Sequence, residues 1–115
     1  MLAVRNRVRA SADFSRTVRS GARSGRRNVV LYALPTGGQP SRIGFIVAKS
    51  VGNAVTRNLV KRRLREAAAQ SLALHPTGFD VVVRALPASA SASWPVLSAD
   101  YHSALNACIA KLSQL

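Results

Sequence analysis

The chain has 115 residues, which suits one domain, because two separate cores would each be close to the size at which small domains become marginal. Apolar residues make up 48% and charged residues 18% of the chain, a balance that excludes disorder throughout and supports a packed core. The formal net charge of +13 predicts an anionic partner, and without an apolar run of about 18 residues that partner is expected to be nucleic acid and not a membrane.

The N-terminal segment is rich in Arg and contains one acid, Asp13. This composition is also typical of a mitochondrial transit peptide, which stays an alternative. Against it, Ser11 stands where a helix N-cap would, Asp13 falls in the first turn, and Gly21 follows as a stop signal. We therefore predict a short helix over residues 12–20, preceded by a flexible or extended segment at residues 1–10.

The next segment predicts two strands joined by a loop. Residues 28–34 are rich in β-branched and aromatic side chains, and residues 42–48 contain a second apolar run. The intervening residues 35–41 contain Pro and Gly, which indicates a loop. This loop is short enough for the two strands to form an antiparallel hairpin.

A long helix is predicted over residues 54–73, which contain no Pro or Gly and follow a turn at Gly52 and Asn53. At about 100° per residue, five polar or basic side chains fall within one arc of about 140°, with apolar side chains opposite. The members of this basic arc are Arg57, Asn58, Lys61, Arg62 and Arg65. The only acid on this helix is Glu66, so little within the helix neutralises the arc.

The basic arc has two interpretations. It could be a solvated face that keeps the protein in solution, but solvated faces usually mix both signs of charge. Because one sign predominates here, we favour contact with phosphate groups. Lys49 and the backbone N–H groups near Asn53 add an anion site at the helix start, where the helix dipole is positive.

The rest of the chain predicts a strand over residues 79–86, a linker at residues 87–95, and a helix from the N-cap Ser98 to Leu112. Cys108 shares the apolar spacing of this helix, so we interpret it as a core residue and not as a nucleophile. A single Cys forms no internal disulfide, which favours a cytoplasmic protein. The order α-β-β-α-β-α predicts one α+β domain over residues 1–115, a two-layer sandwich of helices against a small sheet.

The run from Lys49 to Glu66, KSVGNAVTRNLVKRRLRE, resembles the signature of the bacterial ribonuclease P protein subunit. The resemblance is supported by Arg5-Asn6-Arg7, Asp13-Phe14 and Val30-Leu31-Tyr32, and it covers most of the chain through about residue 86. In that family the catalyst is an RNA with bound Mg²⁺, and the complex removes the 5′ leader from precursor tRNA. The resemblance also implies a mixed sheet with a left-handed βαβ crossover, against the usual right-handed preference.

The resemblance implies which residues meet each RNA. The leader would lie in a cleft between the first helix and the sheet, at Phe14, Val18 and Tyr32. Phe14 and Tyr32 either stack on unpaired bases or belong to the core, and both interpretations stay open. Val18 stands where a second cleft aromatic is common in the family, so fewer bases would stack here. The residues expected to face the RNA subunit are Lys49, Asn53, Arg57, Asn58, Lys61, Arg62 and Arg65.

The resemblance implies an endoribonuclease whose protein part supplies no catalytic group. The four acids are scattered, and His75 and His102 have no obvious Cys, Ser or acid partner, so we expect no metal site in the protein and no activity from it alone. Mg²⁺ would be bound mainly by the RNA subunit. The expected partners are ribonuclease P RNA and precursor tRNA with its leader, and neither DNA nor a membrane. A general RNA-binding, ribosomal or RNA-chaperone protein is the alternative, because the same basic arc would suffice for it.

Overall fold

The computed structural model describes residues 2–114, which form three α-helices and four strands. The helices are α1 (Ser11–Ser20), α2 (Ala54–Leu74) and α3 (Trp94–Leu112). The strands are β1 (Ala22–Gly25), β2 (Val29–Pro40), β3 (Arg42–Ile46) and β4 (Thr77–Ala85). Short 3-10 helices lie at Val4–Asn6, Lys49–Val51 and Pro87–Ala90.

The four strands form one mixed sheet in the order β1-β2-β4-β3. Both β1 and β4 are antiparallel to β2, whereas β4 is parallel to β3, with Ile43 opposite Val81. The chain passes from β3 to β4 through α2, which forms the predicted βαβ crossover and is consistent with the left-handed connection that the resemblance implies. The predicted α+β class and mixed sheet are therefore confirmed.

The predicted hairpin between residues 28–34 and 42–48 is wrong, because β4 lies between β2 and β3. Closeness in sequence favoured the hairpin, but both strands pair instead with the valine-rich β4. Val81, Val82 and Val83 are at most 3% exposed, so β4 is buried on both faces. A strand of this kind belongs in the interior of a sheet.

Two further differences concern the strands. β1, with the sequence ARSG, is a strand that the sequence does not predict, because its residues have little β propensity and it forms by pairing with the edge of β2. The predicted loop at residues 35–41 is also wrong, since β2 continues as far as Pro40. Its pairing with β4 becomes irregular after Pro35, where Pro and Gly interrupt the hydrogen-bond ladder.

The starts of α1 and α3 also differ from the prediction. Ala10 and not Ser11 is the N-cap of α1, whereas Gly21 ends this helix as predicted. α3 begins before the predicted Ser98, because the Ser93 hydroxyl accepts a hydrogen bond from the Val96 N–H at 3.4 Å. The predicted linker at residues 87–95 is correspondingly shorter and includes the 3-10 helix Pro87–Ala90.

The main core lies between one face of the sheet and the helices α2 and α3, as the predicted sandwich requires. Leu31 of β2, Leu64 of α2 and Tyr101 of α3 are each 0% exposed. The hydroxyls of Tyr101 and Ser71 are hydrogen-bonded at 2.8 Å, and burial raises the pKa of Tyr101. Cys108 lies in this core, as predicted, and burial raises the pKa of its thiol.

α1 packs on the opposite face of the sheet, over a second and smaller apolar cluster. Alternation along β2 directs Leu31 to the main core and directs Val30 and Tyr32 to this second cluster. Phe14 and Val18 are the apolar residues of α1 that pack on the cluster. So short a helix covers only part of the sheet face, which leaves an open cleft beside α1.

The segment before α1, predicted to be flexible or extended, packs along the outer edge of β3. Arg7 forms a parallel bridge with Ile43, and Val8 donates a backbone hydrogen bond to the Ile43 carbonyl at 3.2 Å. Leu2 and Val8 are buried. The N-terminal segment therefore covers a strand edge that would otherwise expose unpaired backbone groups.

Candidate nucleic-acid interface

α2 presents its basic arc at the surface while its apolar side packs on the core. Val60 and Leu64, which are at most 1% exposed, hold the helix in this orientation. Within residues 2–114 no ion pair engages a side chain of the arc, so its charge is available to an external anion. Of its members, Asn58, Arg62 and Arg65 are exposed, and Arg57 and Lys61 are half-buried.

The start of α2 combines a helix cap with two cations. The Asn53 Oδ1 accepts a hydrogen bond from the Thr56 N–H at 2.9 Å, so this predicted RNA-binding residue also caps the helix. Lys49 is exposed in the preceding 3-10 helix. The Nε of Arg57 is buried and has no hydrogen-bond partner among the described residues. A buried donor of this kind favours an external acceptor such as a phosphate oxygen.

The cleft between α1 and the sheet, here called the α1 cleft, is a cavity of about 440 Å³. Its lining residues are Phe14, Ser15, Val18, Arg19, Ile46 and Arg84. Two of the three residues predicted for the leader, Phe14 and Val18, therefore line it. Tyr32 does not, because it is 7% exposed and lies in the apolar cluster on the sheet. Of the two interpretations of Tyr32, the structure supports the core residue.

Phe14 reaches its position because β3 has a glycine beneath it. An ideal Cβ at Gly44 would lie 2.5 Å from the Phe14 Cζ and 2.9 Å from the Val8 Cβ. No side chain fits at this point without displacing a neighbour. Part of the Phe14 ring is consequently covered by the backbone of β3.

Gly44→Ala is expected to displace Phe14 and to lower the free energy of unfolding by about 1 to 3 kcal/mol, because the added methyl group overpacks the contact. Urea denaturation of the variant and the original protein measures this loss. Gly25→Ala is the matched control on β1, since its Cβ would meet only the Val30 Cγ2, at 4.0 Å. Equal stability of the two variants would contradict the assigned contact.

The α1 cleft and the basic arc meet at the edge of β3. A second cavity, of about 330 Å³, is lined by Phe14 of α1 and by Lys61 and Arg65 of α2. Arg7 and Phe45 also line it. Because Phe14 lines both cavities, the structure joins the two predicted sites into one surface.

Two further residues of the cleft, Arg19 and Arg84, are not among the residues predicted from the sequence. Arg84 lies two positions after Val82 on β4, so both side chains are on the face covered by α1. Strand alternation was therefore a signal that could have found Arg84. No sequence signal separates Arg19 from the other arginines near the N-terminus. Both residues are exposed.

A cluster of two carboxylates and two guanidinium groups fastens α1 to the sheet. Arg42 Nε and Nη2 donate to the two oxygens of Asp80 at 2.9 and 2.6 Å, and Asp80 is 1% exposed. Asp13 of α1 lies 3.3 Å from Arg42 Nη1 and 2.7 Å from Arg16 Nη2. Hydrogen bonding to Asp80 raises the pKa of the Arg42 guanidinium. The cluster thus links α1, β3 and β4, which together form the walls of the α1 cleft.

Three of the four acids have structural partners. Asp13 and Asp80 belong to the cluster just described, and Asp100 accepts hydrogen bonds from the Asn28 backbone and side chain at 3.2 and 2.8 Å. Glu66 is exposed on α2. Residues 2–114 contain no group of three or more His, Cys, Asp or Glu placed to hold a metal ion. No helix in the same range is long and apolar enough to cross a membrane.

The two histidines contact neutral side chains. The His102 Nε2 lies 3.0 Å from the Gln70 Oε1, and burial lowers the pKa of His102. The His75 ring packs edge-on against Phe79, with the ring centroids 5.9 Å apart. Both contacts are of the kind expected for structural histidines.

Comparison with known proteins gives one consistent family. A family model described as Ribonuclease P matches residues 2–109. The ribonuclease P protein component of Pseudarthrobacter chlorophenolicus is 69% identical over 114 residues, which cover 98% of this chain and 84% of that protein. That of Kocuria rhizophila is 60% identical over 105 residues, covering 91% and 93%. The solved structure of Staphylococcus aureus RNase P protein superposes with a TM-score of 0.79 at 26% identity, covering 88% of this chain and 93% of that chain.

Proposed function

Because this chain belongs to the ribonuclease P protein family, we propose that it is the protein subunit of ribonuclease P, the endoribonuclease that removes the 5′ leader from precursor tRNA. Its partners are then ribonuclease P RNA and a precursor tRNA that carries its leader. The observation that carries this proposal is the cavity that Phe14 shares with Lys61 and Arg65, where the α1 cleft meets the basic arc. One continuous surface can thereby hold two RNA partners side by side.

The basic arc provides the contact with the RNA subunit. Its four cations lie along one side of a helix that the core holds in place, so the helix itself need not move to meet a phosphate backbone. Lys49 and Asn53 extend the contact at the helix start, and Asn58 adds an amide. Phosphate contacts position a protein without reading sequence, which suits docking on a folded RNA.

The α1 cleft provides the contact with the leader. Val18 and Ile46 give it aliphatic walls, and Phe14 gives it one aromatic ring. These contacts tolerate any base, as leaders of variable sequence require. The ion-pair cluster at Asp13 and Asp80 keeps α1 at a fixed distance from the sheet, so the cleft exists before the leader binds.

The catalytic groups belong to the RNA in this proposal, with Mg²⁺ bound mainly by the RNA subunit, where it supplies an activated water and stabilises developing charge. The carboxylates of this chain support the assignment of Mg²⁺ to the RNA. Asp13, Asp80 and Asp100 are already bound to protein groups, which leaves Glu66 as a single carboxylate. The chain's own residues bind and orient RNA. The complex is expected in the cytoplasm.

Reconstitution tests the proposed function. The purified protein is mixed with bacterial ribonuclease P RNA at low Mg²⁺, and cleavage of 5′-labelled precursor tRNA is followed. We expect the protein to restore cleavage that the RNA alone performs poorly under these conditions, and we expect the protein alone to cut nothing. Binding without rescue would instead indicate a general RNA-binding protein, such as a ribosomal protein or an RNA chaperone, and would refute the proposal.

A further inference from the structure

A cavity at the outer edge of β3 combines apolar walls with cations. This cavity of about 330 Å³ lies between the N-terminal segment and α2, and it is here called the edge cavity. It shares only Phe14 with the α1 cleft. Val8, Phe14 and Phe45 are among its apolar walls, and none of the described residues that line it is acidic. A ligand with an apolar body and a negative charge would therefore meet complementary groups there.

The edge cavity also contains backbone groups that can form hydrogen bonds. Val8 donates a backbone hydrogen bond to the Ile43 carbonyl at 3.2 Å, and within residues 2–114 no strand pairs with this edge of β3 beyond Ile43. Backbone groups two positions apart on a strand point to the same edge, so the N–H and C=O of Phe45 lie at the uncovered part of that edge. Because Phe45 lines the cavity, a donor and an acceptor stand beside its apolar walls.

Cations reach the edge cavity from two elements. Lys61 and Arg65 line it from successive turns of α2, and neither takes part in an ion pair in the part of the chain that the structure describes. Arg7 lines it from the N-terminal segment, where its Nε donates a hydrogen bond to the Leu2 carbonyl at 2.9 Å. Lys and Arg are the side chains that bind phosphate oxygens most strongly. The cavity can therefore hold a phosphate group beside its apolar walls.

The size and the chemistry of the edge cavity match a single nucleotide. Cavities that bind small ligands have volumes of about 300 to 1,000 Å³, and this one is at the lower end of that range, which suits one base and not a stack of several. A base has flat apolar faces, an edge of donors and acceptors, and an attached phosphate. A base that is paired within an RNA helix has these faces and edges covered, so only an unpaired base could enter.

We propose that the edge cavity binds one unpaired nucleotide of the RNA subunit, with the base against Val8 and Phe45 and the phosphate on Lys61 and Arg65. The RNA subunit is the source of the nucleotide because both cations also belong to the basic arc. This inference rests on the proposed function, in which the basic arc docks on that RNA. It adds one contact that depends on a base to a surface that otherwise binds phosphate groups.

Removal of single bases from the RNA tests this contact. A pool of bacterial ribonuclease P RNA molecules, each lacking a single base at a random position, is titrated with the protein in the absence of precursor tRNA. Bound and free molecules are separated, and the missing bases in each fraction are mapped. We expect the loss of one particular unpaired base to weaken binding about tenfold, because stacking of a base on an aromatic ring contributes about that much.

A substitution at Phe45 then assigns the sensitive base to the edge cavity. Phe45→Leu keeps an apolar side chain on β3 but removes the ring, so it is expected to bind intact RNA about tenfold more weakly. On RNA that lacks the sensitive base, the same variant should lose nothing more. Phe79→Leu is the matched control, since Phe79 packs on the same core from β4 and does not line the cavity. Urea denaturation checks that both variants are folded under the binding conditions.

Two results would overturn the inference about the edge cavity. If no single missing base weakens binding of the unmodified protein, then the cavity binds no nucleotide of the RNA subunit. If a sensitive base is found but Phe45→Leu behaves like Phe79→Leu, or adds its full loss to that of the missing base, then the base is bound elsewhere. In either case, restored cleavage in the reconstitution assay would still support the proposed function, whereas binding without rescue would count against that function itself.

Discussion

Arg42→Ala is expected to lower the free energy of unfolding by about 3 to 5 kcal/mol. The substitution leaves Asp80, which is 1% exposed, without the two donors that now lie 2.9 and 2.6 Å from its oxygens. A buried carboxylate that loses its hydrogen-bonded partner costs more than the ion pair itself contributes. Urea denaturation at neutral pH, followed by circular dichroism, measures the loss.

Two variants control this experiment. Arg16 is 55% exposed and lies 3.9 Å from Asp80, so Arg16→Ala is expected to cost less than about 1 kcal/mol. Arg42→Met combined with Asp80→Leu removes both charges and is expected to recover most of the stability that Arg42→Ala loses. If the double variant is no more stable than Arg42→Ala, then weaker packing and not the unpaired carboxylate explains the effect.

Replacing Arg57 and Arg65 together with Ala is expected to weaken binding to ribonuclease P RNA by about 100-fold, since each charge-assisted hydrogen bond contributes about tenfold. The slope of log affinity against log salt is expected to flatten by about one unit for each phosphate group that the protein no longer neutralises. Titration of labelled RNA with protein at several salt concentrations gives both quantities. The single variants should each show about half of the change in slope.

Arg63→Ala is the matched control on the same helix. The Arg63 Nη1 donates a hydrogen bond to the Ala92 carbonyl at 2.9 Å, and Arg63 lies outside the basic arc. Its removal takes away the same charge at nearly the same place in the sequence. We expect a much smaller change in the salt slope. An equal effect of Arg63→Ala and Arg65→Ala would assign binding to overall charge and not to the basic arc.

The helices are the part of the fold that the sequence predicts best, because their signals are local. α2 agrees with the prediction to within one residue, since Asn53 caps its start and no Pro or Gly interrupts it. The order of the strands in the sheet has no local signal of this kind. β2 and β3 are neighbours in sequence, yet both pair with β4, because only a strand with valines on both faces suits the position between them.

The candidate site also has one part with a local sequence signal and one part without. The basic arc follows from helical periodicity alone, whereas the α1 cleft depends on how closely α1 approaches the sheet. That distance is set by Gly44, by the contact between Asp13 and Arg42, and by burial of Tyr32. None of these contacts lies within one element, so the sequence pattern indicates a cleft only through the family resemblance and misses Arg84.

The position of β4 also bears on how the protein is made. β4 is the last strand of the chain, yet its two neighbours in the sheet, β2 and β3, precede it in sequence. The pair formed by Arg42 and Asp80 joins residues 38 positions apart, and contacts of such sequence separation form slowly. While the ribosome is still adding residues, the arginine-rich first half must wait for Thr77–Ala85 before its sheet can close. Substitutions that weaken β4 are therefore expected to reduce the yield of folded chains during synthesis more than their effect on the finished protein would suggest.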